Sequence, residues 1–128
     1  MSYETIRESG GIYQRFWGAV DSLELYDSLK EIPKDPCFAS AKYVIKDFLG
    51  VDVFNAKVKT IVEGLALNKV WKNTNPDIVV AVVTTHEEII ATGQSAMSYR
   101  VDSYPRRVFP TLAEARAWIA EIAAKRGA

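Results

Sequence analysis

A chain of 128 residues, 48% hydrophobic and 25% charged, has enough apolar material for one compact domain and too little length for two, so residues 1–128 are read as a single domain. Lys plus Arg balances Asp plus Glu at 16 each, which leaves no net field to hold a polyanion and argues against nucleic acid as a partner. The lone Cys37 cannot close an internal disulfide, the first residues lack the apolar stretch of a signal peptide, and Ile78–Val83 falls far short of the ~20 residues of a bilayer span, so the expectation is a cytoplasmic protein without a transmembrane segment.

The chain opens on a predicted hairpin. Tyr3–Glu8 and Ile12–Val20 are rich in β-branched and aromatic residues, and Ser9-Gly10-Gly11 between them supplies glycines for the positive φ of a tight turn. Asp21 then reads as an N-cap with Glu24 at capping-box spacing, and Leu25, Leu29 and Ile32 recur at helical intervals until Pro33 and Pro36 stop the helix. Lys42–Val51 reads as a strand. Asn55 reads as the N-cap of a second helix, with Val58, Ile61, Val62 and Leu65 as its apolar stripe and its end near Trp71.

Asp77–Thr85 shows no polar alternation after its first residue, which predicts a strand covered on both faces and placed at the centre of the sheet. Thr85 and Glu88 repeat the capping-box spacing ahead of a weaker helix through Ile89, Ile90 and Met97, with Gly93 lowering its propensity. A short strand around Arg107–Phe109 stops at Pro110. Thr111 and Glu114 then cap a last helix that buries Leu112, Ala115, Ile119 and Ile122. The order β, β, α, β, α, β, α, β, α predicts an α/β fold: an N-terminal hairpin followed by βα repeats, with four helices on a mixed, largely parallel five-stranded sheet.

In open sheets of this kind ligands bind beyond the carboxyl ends of the parallel strands. Those ends carry Asp21, Ser22, Asp52, Asn55, Thr85 and His86. Ser22, His86 and Asp52 have the residue types of a nucleophile, a base and an orienting carboxylate, but the G-x-S-x-G elbow that would make the pattern specific is absent. The plainer reading makes Asp21, Asn55 and Thr85 helix caps and leaves His86 exposed in a first turn. No clustered metal-ligand spacing and no phosphate-cradling glycine loop occurs, so neither metal nor cofactor is expected. Arg100, Arg106 and Arg107 form a basic cluster near the last strand, readable as a solvated edge or as an anion site. Tyr13, Phe16, Trp17, Phe38, Tyr43, Phe48 and Phe54 exceed what one face of a small sheet exposes. Those outside the core would line an apolar cavity or, with Trp17, form a homodimer surface.

Three stretches carry a resemblance over roughly Gly11 to Ala123: "KYVIKDFLGVDVFNAK", the buried "IVVAVV" and the closing "RVFPTLAEARAWI". In order and spacing the chain resembles the STAS/SpoIIAA-like fold, in particular its small stand-alone bacterial members, whose superfold is shared with CRAL-TRIO lipid-binding domains. The anti-sigma-factor antagonists of that group carry a phosphorylatable Asp-Ser pair at the start of the second helix. The resemblance places Asn55 and Ala56 there, and alanine has no hydroxyl to modify. The resemblance therefore implies a non-enzymatic regulatory or protein-interaction module without the phosphoacceptor, expected as a homodimer with a protein partner. The alternative it implies is a small-molecule or lipid-binding protein with an apolar pocket; an enzyme built on His86 stands third.

Overall fold

Each strand pairs with the next one in the chain. The computed structural model describes residues 2–101 and 104–127, and among them five strands and four α-helices. The strands are β1 (Tyr3–Glu8), β2 (Gly11–Asp21), β3 (Tyr43–Asn55), β4 (Val79–Val83) and β5 (Arg106–Phe109). The helices are α1 (Ser22–Glu31), α2 (Val58–Thr74), α3 (Glu87–Met97) and α4 (Leu112–Gly127), and two short 3-10 turns, Ile32–Lys34 and Phe38–Ser40, lead from α1 to β3. The sheet order is β1-β2-β3-β4-β5, with β1 antiparallel to β2 and the other pairings parallel. The mixed five-stranded α/β architecture is the one the periodicity predicts, and the hairpin turns through Gly10 at φ +90°.

Because β2, β3, β4 and β5 step in one direction across the sheet, right-handed crossovers put α1, α2 and α3 on one face. The helix after the last strand, α4, lies on the other face, against β3, β4 and β5. Strand alternation supplies both cores. Ile12, Phe16, Val44, Phe48 and Val80 face the three helices, while Tyr13, Ile45, Ala81, Val83 and Phe109 face α4. On the first face, Tyr3, Phe16, Phe48 and Phe54 form a chain of rings with centroid separations of 5.7, 4.4 and 6.3 Å. Each ring pair adds about 0.5–1.5 kcal/mol beyond simple burial.

Four expectations are corrected. The unalternating β4 is covered on both faces, as its composition requires, but the central strand is β3; double coverage, not central position, is what the aliphatic run encodes. β3 runs on to Asn55, where it pairs with Asp21 of β2, so Asn55 ends a strand and does not cap α2. The N-cap of α2 is Lys57, which makes no side-chain cap bond, and the helix extends to Thr74. Thr85 is exposed and does not cap α3; the N-cap is His86, whose N–H donates to Thr84 Oγ1 at 3.0 Å.

Candidate functional site: a buried lysine in an apolar pocket

The sequence Val44-Ile45-Lys46-Asp47-Phe48 lies in β3, where successive side chains point to opposite faces of the sheet. Val44 and Phe48 belong to the core under the three helices, and Lys46 shares their parity. Its side chain is only 4% exposed. The ammonium lies 5.5 Å from the centroid of the Phe16 ring on β2, a cation–π contact. Among the described residues it has neither a hydrogen bond nor a carboxylate within ion-pair distance.

Lys46 lines an apolar pocket of about 360 Å³ between this face of the sheet and the helices, large enough for a small organic ligand. Leu29 of α1, Leu65 of α2 and Phe48 and Phe54 of β3 form its deep wall. The rim lies where α3 faces β5, with Met97 and Val108 38% and 49% exposed. Ile89, Ile90, Gly93, Gln94 and Met97 come from one side of α3, at the spacing of a helix face turned toward the cavity. The polar groups on the lining are few: Lys46, Asn68 of α2, Thr84, Gln94, Arg106 and Arg107. Among the described lining residues none is acidic, and their charge is positive.

Burial is the main force on the Lys46 amine. It holds the amine down to about 7 from an ordinary 10.5, and the neighbouring positive charge of Arg106 pushes the same way. That depression corresponds to roughly 5 kcal/mol of preference for the neutral form. Set against a typical total stability of about 5–15 kcal/mol for a domain, it is a large concession to place on one side chain. An apolar residue of similar length would avoid it.

The residues singled out in the sequence sit elsewhere. Asp21 caps α1, its carboxylate accepting from the Glu24 N–H at 2.9 Å. The Ser22 hydroxyl accepts from the Lys57 N–H at 3.0 Å, and so ties the start of α1 to the start of α2. Asp52 and Thr85 are exposed, and no hydrogen bond among the described residues joins Ser22, Asp52 and His86. The Nδ1 atom of His86 is enclosed without a hydrogen-bond partner. Trp17, 37% exposed, lies on the opposite face of the sheet with the Arg15 guanidinium 5.1 Å from its ring centroid. Of the basic cluster, Arg106 and Arg107 border the pocket, but the Arg107 guanidinium lies over the Phe109 and Trp118 rings on the α4 face, at 5.2 and 5.8 Å from their centroids.

A second depression, of about 680 Å³, lies under the C-terminal part of α4 and is rimmed by Ser9, Lys42, Asp77 and Arg126. Arg126 reaches across it to donate to the Asp77 carbonyl. Among the described residues no helix is long and apolar enough to cross a membrane, and no group of three or more His, Cys, Asp or Glu side chains could hold a metal ion. The chain matches no protein-family model, and no curated protein matches it.

Proposed function

We propose that the protein binds a small apolar molecule in the pocket between β3, β4 and the helices. One observation carries this reading: a cavity of about 360 Å³ with almost wholly apolar walls stands next to a desolvated amine to which the described residues offer no counter-charge. The relation to CRAL-TRIO lipid-binding domains that the sequence resemblance implies points the same way. Among the described lining residues none combines a nucleophile with an acid or base partner, which favours binding over turnover. Native mass spectrometry of gently purified protein tests it. The expected spectrum contains a defined adduct that is lost on denaturation. Gly93→Leu should lose the adduct, because an added Cβ at Gly93 has open space around it on the pocket side of α3. An adduct-free spectrum, together with an unfolding temperature unmoved by added medium-chain amphiphiles, overturns the reading.

A second reading, a STAS-like interaction module that pairs with a copy of itself, is favoured by the half of the sheet that α4 leaves open. There Trp17, Leu49 and Val53 are 37%, 47% and 48% exposed on neighbouring strands. Sedimentation of the unmodified chain and of Trp17→Glu tests it: a dimer that becomes a folded monomer supports the reading, and an unchanged sedimentation coefficient ends it.

A further inference from the structure

Resting on the pocket reading, we propose that the ligand carries a carboxylate head, seated against Lys46 and Arg106 with its hydrocarbon part along the apolar walls. Two features of the site select this chemistry.

The first is the one-sided charge of the cavity. Of the described groups that share it with Lys46, α1 contributes Leu25 and Leu29, α2 Asn68, α3 Gln94 and β4 Thr84, all uncharged; β5 alone brings charge, through Arg106, because the Arg107 guanidinium lies over the Phe109 and Trp118 rings on the α4 face. On its remaining side Lys46 meets the Phe16 ring of β2. A neutral ligand would leave the buried amine as it is, whereas an anion provides the counter-charge the fold omits. The ion pair would form away from bulk water, where attraction is weakly screened.

The second is what the lining lacks. A buried amine held neutral could also attack a carbonyl to form an imine, with water leaving. That route needs a group to carry protons during loss of the hydroxyl, and among the described residues no Asp, Glu, His, Cys or Tyr lines the pocket. A second cation beside the amine does nothing for an imine and much for an anion. One amine that takes up a proton matches the single charge of a carboxylate.

The chemistry sets a pH dependence. Burial keeps the empty site's amine mostly neutral above about pH 7, so a carboxylate must bind together with a proton there. Decanoate and decanol are suitable probes because they share a chain and differ in the head. Isothermal titration of each into the unmodified chain and into Lys46→Met, from about pH 7 to about pH 9.5, tests the inference. Expected for the unmodified chain is tighter binding of decanoate than of decanol near pH 7, with decanoate affinity falling by up to about tenfold per pH unit as the pH rises and decanol affinity flat. In Lys46→Met the advantage of decanoate over decanol should shrink sharply and lose its pH trend. Decanol binding with no preference for decanoate, or a preference and pH trend that Lys46→Met leaves undiminished, overturns the carboxylate inference and leaves the pocket reading standing. Binding of neither probe to either protein overturns both.

Discussion

Lys46 and Asp47 are neighbours in β3, oppositely charged and 4% and 6% exposed, yet the pleat sends them to opposite faces of the sheet. Asp47 is fully provided for. Its carboxylate accepts from the Tyr13 hydroxyl and, at 2.9 Å, from the Leu49 N–H, while Arg116 of α4 covers the Tyr13 ring at 5.7 Å from its centroid. Nearby, Glu8 accepts from Tyr43 at 2.6 Å and from both terminal nitrogens of Arg116 at 3.0 and 2.8 Å, which pins α4 to the hairpin. Lys46, on the other face, has an aromatic ring, a second cation and a cavity. Saturated buried charge is how a fold secures itself; unsaturated buried charge beside a cavity marks where stability has been given up for a site.

Substitutions at the two positions should therefore move stability in opposite directions. Lys46→Met, which keeps the length and removes the amine, is expected to raise unfolding free energy by about 3 kcal/mol at pH 6, read from urea denaturation, and by far less at pH 10. Asp47→Ala strips a buried hydroxyl and a backbone N–H of their acceptor and should lower stability by about 2–3 kcal/mol at neutral pH. Equal and small effects of both variants would erase the contrast.

The unmodified chain carries the same contrast in its pH profile. Between about pH 7 and 10.5 the unfolded chain holds a proton on Lys46 that the folded chain releases, so stability should rise with pH, by up to about 1.4 kcal/mol per unit. The penalty is full below pH 7 and gone above 10.5. Tyr3 and Tyr13 act in the reverse sense. Burial, then the adjoining Glu31 and Asp47 carboxylates respectively, raise both phenols above their ordinary 10.0, so the unfolded chain ionises first and stability falls above that pH. A stability maximum near pH 10 in the unmodified chain, absent from Lys46→Met, sharpens the comparison; a flat profile breaks it.

The smallest expected effect belongs to the α4 clamp. The Arg116 guanidinium, ahead of the opposing effect of burial, holds the Glu8 carboxyl below its ordinary 4.5, so the contribution is present above that pH and lost as the pH falls through the lowered value. With the two side chains 43% and 22% exposed, solvent screening limits it. Arg116→Met should lower stability by about 1 kcal/mol at neutral pH, and by less once Glu8 is protonated.

Much of the fold was legible because its signals are local. Glycines at the first turn, the Asp21 cap and the switch between two-residue and helical periods all act within a few residues of chain. The errors arose where a partner decides. Asn55 continues β3 because Asp21 of β2 is there to pair with it, and Thr84, not Thr85, supplies the oxygen that receives the His86 N–H. The candidate site was less legible. Polar residues at strand ends stand out in the sequence, whereas Lys46 lies mid-strand, where nothing next to it in the chain marks it as a site. Its signal was parity: in "YVIKDF" the lysine alternates with Val44 and Phe48, so whatever buried them buried it. That it would meet a cavity and Arg106, sixty residues on by sequence number, depends on the packing of α3 and β5 and leaves no local trace.

The identity of sheet order and chain order also bears on how the protein is built. Every new strand adds beside the one just placed, so no segment need be threaded between strands already paired, and each closure spans only one helix. The pocket is the exception to this stepwise growth: its sheet wall is laid by β3 and β4, but its rim and its second cation arrive with β5, the last strand to join. A ligand held there can engage only a chain that has completed its sheet, so occupancy would act as a late checkpoint in assembly, rewarding finished molecules and leaving partly folded ones without gain.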